Sequence, residues 1–387
     1  MPHDVIIVGL GAMGAAAAHE LAARGARVLG LDRFAPPHTL GSTHGKTRII
    51  REAYFEHPLY VPLVRRAYER WAALEAEAGD GRTLLIQTGG IMVGPPEGTL
   101  VAGARRSATE HGIPCEEMPV EELRRRWPVF RGEDGMLALH ESRAGLLLPE
   151  RIVETYHALA KRAGAELRYG EALLRWRADG AGVSVETASG TYRAGSLILA
   201  AGAWMPELLM PPHAGTRLEL PLTIERQVFH WFAPASDAGA FVPERCPIVL
   251  WEYAHDSIYA TYPDMGDGVK AQIHHDGELT DPSHVRRETM PDDEMRSRAI
   301  LARFLPAANG RVLETAVCLY TNTPDRHFII DTHPAHAQVV LASPCSGHGF
   351  KFASAIGEVL ADLALGRGVG FDLRAFRVAR FGSRDGG

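Results

Sequence analysis

Asp4-Val-Ile-Ile-Val-Gly-Leu-Gly-Ala-Met-Gly14, then Ala15-Ala-Ala-Ala18, then Arg27-Val-Leu-Gly-Leu-Asp32: this stretch decides the fold. The first apolar run is short enough for a buried strand. Gly9-Leu-Gly11-Ala-Met-Gly14 opens an alanine-rich helix, and a second apolar run stops on an acid. Strand, glycine turn, helix, strand and acid, in that order, are what a dinucleotide-binding βαβ unit requires. Gly9 permits the tight turn, and Gly11 lets the backbone approach a pyrophosphate at the helix N-terminus. Gly14 lets helix and strand pack closely, and Asp32 is placed to accept a hydrogen bond from a ribose hydroxyl. The chain is expected to bind an adenine dinucleotide.

Beyond this unit, Arg33 to Arg51 reads as a loop with Pro36-Pro37, Gly41 and Gly45 and a basic end, His44-Gly-Lys46-Thr-Arg48-Ile-Ile-Arg51. Arg48 and Arg51 would share a face if this end is helical. An amphipathic helix is expected over about 57–79, with Tyr60, Leu63, Ala67, Trp71 and Leu74 on one stripe. Strands around Gly89-Gly90 and helices near 99–111, 120–127 and 150–163 follow. Val183-Ser-Val-Glu-Thr187, a Ser189-Gly190 turn and Thr191-Tyr-Arg193 form a hairpin pattern that feeds the apolar run Ser196 to Ala201, ending at Gly202. That run has the character of a buried parallel strand, and its glycine end offers a second close backbone approach to a cofactor. Residues 218–274 are mainly strands and 283–304 a charged helix. Strands at 317–320, 327–331 and 338–341 then lead through Pro344-Cys-Ser-Gly347-His-Gly349-Phe-Lys351 into a helix over 352–365. The strand-rich middle interrupts the nucleotide-binding pattern, so two interleaved domains are expected. Residues 1–82, 140–215 and 317–387 would bind the dinucleotide, and 83–139 and 216–316 would form the substrate domain.

The chain has 387 residues, 46% of them hydrophobic and 23% charged, and a net charge of −6. This balance suits a soluble two-domain protein and argues against nucleic acid or an anionic membrane as partner. No apolar run approaches the ~18 residues of a membrane span, and the first strand begins too early to leave room for a secretory leader. Cys115, Cys246, Cys318 and Cys345 are scattered without a CxxC, which points to free thiols and a cytoplasmic setting. The 18 histidines fall into no zinc-type spacing, so no metal is expected; His333-Pro-Ala-His336 reads as a surface turn.

Five separated segments together resemble the monomeric sarcosine oxidase and N-methyltryptophan oxidase branch of the FAD-dependent amine oxidases. They are Gly9 to Gly14, Pro36 to Arg51, Ala316-Val-Cys-Leu-Tyr-Thr321, Arg326-His-Phe-Ile-Ile-Asp331 and Ser346-Gly-His-Gly-Phe-Lys351. The last four are far more specific than the first. The resemblance implies an α/β fold, with a Rossmann-like FAD-binding domain and an interleaved α+β substrate domain on a mainly antiparallel sheet. It implies FAD joined through the sulfur of Cys318, with Gly9, Gly11, Met13, Gly14, Asp32, Arg33, Ser42, Thr43, Gly202, Gly347, His348, Gly349 and Lys351 as further cofactor contacts. His44 and Arg48 would lie next to the flavin ring, where a cation stabilises the anionic reduced form. Arg51 and Lys351 would hold the substrate carboxylate, Arg bidentately and Lys as a point charge. Lys270 would activate oxygen, and His274 and Tyr320 would stand at the substrate.

The chain departs from the family pattern at two places. Tyr259-Ala-Thr-Tyr-Pro263 stands where an aromatic pair in a Tyr-Tyr-Gly-Phe-Pro run is common, and Cys345 stands where an aromatic side chain is common. The activity implied is oxidation of sarcosine or another N-methyl amino acid by O2 in a monomer, giving the primary amino acid, formaldehyde and hydrogen peroxide. A cyclic secondary amino acid such as L-pipecolate is an alternative substrate. A flavin dehydrogenase using a carrier, a NAD-dependent dehydrogenase and a sensor with a degenerate site are the competing readings.

Overall fold

In the computed structural model, which describes residues 3–382, the opening stretch folds as its sequence dictates. Strand His3–Val8 lies between Gly190–Leu199 and Val28–Asp32, all parallel. Its side chains are buried on both faces: Val5 and Ile7 enter one core, Ile6 and Val8 another. That is why the run is continuously apolar rather than alternating. Helix Ala12–Ala23 follows, and its alanines let helix Ala353–Ala364 come close; a Cβ on Gly357 would meet that of Ala16 at 2.6 Å. Strands Glu166–Tyr169 and His336–Ser343 extend the sheet in parallel, and the antiparallel strands Leu173–Asp179, Gly182–Thr187 and Ile329–His333 complete its eight. His333 and His336 stack at 4.9 Å where the last hairpin turns, with His333 buried.

A nine-stranded sheet carries the rest. Its order is Glu278–Thr280, Thr223–Phe232, Val269–His274, Ser257–Asp264, Ile248–Ala254, Gly90–Gly94, Leu137–Glu141 and Glu116–Pro119, with Val312–Asn322 on Thr223–Phe232. All its pairings are antiparallel except Ile248–Ala254 with Gly90–Gly94. Helix Pro291–Phe304 covers one face, and Ile300, Leu301 and Phe304 fill the core with Val269, Ala271, Trp251 and Tyr259. The opposite face looks toward the dinucleotide-binding sheet.

Several expectations need correcting. The basic segment is a strand, Arg48–Ile50, paired with Gly145–Leu147, so Arg48 and Arg51 share no helical face. β-branched Ile49 and Ile50 suit that extended backbone. The charged helix starts at Pro291 rather than 283; proline fits the first helical position, and the Asp293 carboxylate accepts from the Met290 amide at 2.8 Å. Strand Val312–Asn322 pairs along its length with Thr223–Phe232. Residues 317–322, assigned from sequence to the FAD-binding part, therefore belong to the antiparallel sheet, as do residues 140–141. No described helix is long and apolar enough to cross a membrane.

Candidate active site

A single cleft runs from the end of the first strand to the free face of the nine-stranded sheet. Gly9, Gly11, Met13, Asp32 and Arg33 line one end, Ser42, Thr43 and Gly202 the middle, and Arg48, Arg51, Cys318, Tyr320, Gly347, His348, Gly349 and Lys351 the other, with His274. Gly14, His44 and Lys270, also expected at the site, do not open onto it. Gly14 packs instead: a Cβ there would meet the Gly9 carbonyl oxygen at 1.8 Å.

The first end fits an adenine dinucleotide. Gly9 has φ of +93°, and a Cβ would meet the Ala200 carbonyl oxygen at 2.4 Å, so only glycine serves this turn. The Asp32 carboxylate accepts from the Leu10 amide at 2.7 Å and the Phe34 amide at 2.8 Å. Burial raises its pKa against these two amides. A carboxylate has about four acceptor positions, so two amides leave room for a ribose hydroxyl. Arg33 pairs with Glu207 at 2.7 Å.

The sheet end owes its chemistry to strand alternation. Val269, Ala271 and Ile273 pack under the helix, which turns Lys270, Gln272 and His274 to the other face. On the next strand Ile258, Ala260 and Tyr262 line the cleft, while Tyr259 points away and bonds Ser297 at 2.8 Å. Tyr259 therefore does not face the cleft beside Ala260. Tyr320 Oη lies 3.1 Å from His274 Nδ1 and accepts from Gln272 Nε2 at 3.3 Å. Burial, then neighbouring His275, His348 and Lys351, holds the His274 imidazole neutral.

The same face carries a cluster of cations. Lys270 Nζ donates to the carbonyls of Gly45 and Thr47 at 2.7 and 2.8 Å, with the rings of Phe229 and Tyr262 at 4.3 and 4.6 Å. Burial, then Arg48, pushes its pKa well down, whereas carbonyls and ring faces favour the charge. Arg48 donates to the Ser42 and Thr47 carbonyls, each at 2.8 Å, and lies 3.7 Å from Cys318 Sγ. Burial raises the Cys318 thiol pKa and Arg48 opposes it. His44 is buried against Phe229; burial, then Arg48, lowers its pKa to about 3, so it is neutral. Ser42 Oγ donates to the Leu319 carbonyl at 2.5 Å, tying this loop to the cysteine's strand.

Arg51 and Lys351 meet over Tyr54, whose ring lies 4.4 Å from the guanidinium and 5.2 Å from the ammonium. Arg51 also donates to Glu56 at 2.6 Å. Burial would raise the Glu56 carboxyl, but Arg51, His348 and Lys351 hold it below its ordinary value. Lys351 Nζ donates to the His348 carbonyl at 2.7 Å, and burial, then Arg51, lowers its pKa to about 7. The His348 ring bonds Tyr54 Oη at 2.6 Å and lies 3.0 Å from the Arg326 carbonyl, so it braces the loop. Trp71 Nε1 donates to the Lys351 carbonyl at 3.0 Å, anchoring the same loop to helix Val61–Ala78. Gly347, at φ +79°, leaves room for Tyr320 and His274, which a Cβ would meet at 2.7 and 2.9 Å.

Sequence reasoning missed Gln272, Glu56 and Tyr54. Gln272 carried a signal, since it stands two residues from both Lys270 and His274 on an alternating strand. Glu56 carried none, because its pairing with Arg51 is made by a loop. The one grouping of possible metal ligands among the described residues, Glu252, His255 and Asp256, lies off the cleft. Its Glu252 already accepts from the amides of Thr99 and Leu100.

A glycine turn fitted to a dinucleotide, opening into a chamber of buried cations, defines a dinucleotide-dependent oxidoreductase. The model of the family described as FAD dependent oxidoreductase matches residues 4–363. Monomeric sarcosine oxidase of Streptomyces avermitilis is 45% identical over 368 residues, 94% of each chain, and that of Bacillus sp. (strain B-0618) is 39% identical over 97% of this chain and 96% of its own. N-methyl-L-tryptophan oxidase of Salmonella agona is 35% identical over 98% of this chain and 100% of its own. Among solved structures, the open form of NikD, an amino acid oxidase of nikkomycin biosynthesis, superposes with a TM-score of 0.81 at 25% identity over 97% of both chains. The chain belongs to the FAD-dependent oxidoreductases, in the branch that holds monomeric sarcosine oxidase and N-methyl-L-tryptophan oxidase.

Proposed function

We propose that the protein is an O2-dependent oxidase of N-methyl amino acids. The overall reaction converts R–NH–CH3, O2 and water into R–NH2, formaldehyde and hydrogen peroxide. Bound FAD would take the hydride from the carbon next to nitrogen and pass the electrons on. The protein's part is to position and to charge. Arg51 and Lys351, stacked on one tyrosine ring in the same cleft as Tyr320 and His274, carry this reading: two buried cations at a cleft wall call for a carboxylate. With the carboxylate held there, neutral His274 and Tyr320 face the amine end. Lys270 and Arg48 would supply positive charge for reduced flavin and O2.

Ala260 and Cys345 both line the cleft, and their small side chains support a substrate bulkier than sarcosine. An unfilled apolar space forfeits contacts worth about 0.8 kcal/mol per buried methylene. Peroxide and formaldehyde release, measured over sarcosine, N-methyl amino acids of growing side chain and L-pipecolate, tests both points. The bulkier substrates are expected to have the larger kcat/KM. A steady fall from sarcosine upward would refute the enlarged site, and no peroxide from any of them would refute the function.

Covalent attachment is the second expectation. Cys318 Sγ is buried at the cleft wall beside Arg48, whose charge would favour the thiolate needed for a thioether. Flavin is expected to stay with acid-precipitated protein and to leave it in Cys318→Ser. A yellow supernatant over a colourless wild-type pellet refutes the link.

A further inference from the structure

We infer that the Tyr262 hydroxyl donates a hydrogen bond to O2 while it is being reduced, acting from the cleft wall beside Lys270. This role rests on the reading of the site as an O2-dependent oxidase and adds a residue to its oxygen half-reaction. Tyr262 is 3% exposed and lines the cleft. Its hydroxyl forms no hydrogen bond among the described residues, yet it is not one of the buried polar atoms closed off without a partner. A buried tyrosine normally finds a partner for its hydroxyl. Here that partner has to be something that occupies the cleft.

Its place follows from strand alternation. Ile258, Ala260 and Tyr262 share the face that carries Lys270, Gln272 and His274 on the paired strand. The Tyr262 ring lies 4.6 Å from Lys270 Nζ. Lys270 itself does not line the cleft, and its ammonium is held by the Gly45 and Thr47 carbonyls. The cation can therefore lend O2 its field, whereas contact has to come from a neighbour on the cleft wall. Tyr262 is that neighbour. The hydroxyl of Tyr320, also on the wall, is already engaged with His274 and Gln272.

The surroundings favour O2 over the substrate carboxylate as the acceptor. Arg48 and Cys318 are the groups whose charges act on the hydroxyl, while Arg51 and Lys351 gather over Tyr54. Burial pushes the phenol pKa up to about 12, with Arg48 opposing, so the group stays protonated and able to donate at neutral pH. A fixed donor beside cations gains most from an oxygen that is taking on negative charge. In the balanced half-reaction two electrons and one proton come from the reduced flavin and a second proton from solvent, and O2 leaves as hydrogen peroxide. Tyr262 keeps its own proton throughout.

Tyr262→Phe removes the hydroxyl and keeps the ring on Lys270. The holoenzyme is reduced with stoichiometric dithionite, so no substrate has to be chosen, then mixed with O2 while flavin absorbance is followed. The variant is expected to reoxidise about tenfold or more slowly than the wild type. Its melting temperature, its oxidised flavin spectrum and its anaerobic reduction by an N-methyl amino acid are expected to match the wild type, because the hydroxyl bonds neither protein, cofactor nor substrate. An unchanged rate with O2 overturns the inference. A slowed rate accompanied by a lower melting temperature, a shifted spectrum or equally slowed reduction also overturns it, since each puts the hydroxyl to another use. A reduced wild type that O2 fails to reoxidise overturns the oxidase reading and this role with it. That result is distinct from equal, rapid reoxidation of wild type and variant, which removes Tyr262 alone.

Discussion

Lys270→Met is expected to slow the reaction of the reduced enzyme with O2 by about a hundredfold, and to change anaerobic reduction by substrate far less. Electron transfer to O2 builds negative charge in a poorly solvated place, where a fixed cation acts most strongly. One unit charge acting over roughly 6 Å at an effective dielectric near 20 is worth about 3 kcal/mol, or a hundredfold in rate. The structure gives Lys270 the rigidity this needs: two backbone carbonyls hold the ammonium, and aromatic faces wall it in. Lys270 is not among the residues that line the cleft, so it would act through its field or through water rather than by direct contact. Methionine keeps the length of the side chain and removes the charge. Stopped-flow measurement of the two half-reactions decides the matter. Equal losses in both would make Lys270 a structural residue.

Removing the carboxylate clamp should cost still more. Arg51→Met leaves Glu56 without its partner, so the clean comparison adds Glu56→Gln in the same chain. Loss of a buried charged partner costs about 2–5 kcal/mol, which corresponds to kcat/KM falling by roughly thirty- to several-thousandfold. Simple N-methyl alkylamines, which lack the carboxylate, should be correspondingly poor substrates of the wild type. Their unimpaired oxidation would remove the clamp from the mechanism. Lys351 adds a pH signature. Its pKa is lowered to about 7, so in the free protein it is charged below that pH and neutral above it. A bound carboxylate favours the charged form and raises that pKa. Affinity for a non-oxidisable carboxylate is thus expected to be constant below about pH 7 and to weaken above it. The weakening should be absent in Lys351→Met.

How much of this was legible beforehand depended on whether the signal was local. Helix Thr99–His111 was read to the residue, and the βαβ opening was read whole, because glycine placement and apolar runs are properties of adjacent residues. The basic segment was misread because i,i+3 spacing fits a helix, while its strand partner, Gly145–Leu147, lies far along the chain. The boundary at 317 failed for a related reason: a strand's sheet is chosen by pairing, which apolar character does not encode. Within the site, the resemblance placed most residues on the cleft wall. It could not show that Ala260 stands opposite Gln272, nor that Arg51 is engaged by Glu56, since both arise where loops and neighbouring strands meet.

The bond from Ser42 to Leu319 has a consequence for how the protein is made. The cleft joins the turn after strand His3–Val8 to residues that leave the ribosome much later. Strand His336–Ser343 adds to the sheet beside Gly190–Leu199, and the Gly347–Lys351 loop closes the chamber after that. A nascent chain can therefore form the first βαβ unit long before it has a complete place for the isoalloxazine. Full cofactor loading would wait for the Gly347–Lys351 loop, so a ribosome stalled before Gly347 would hold a chain with only the adenylate end of the cleft in place.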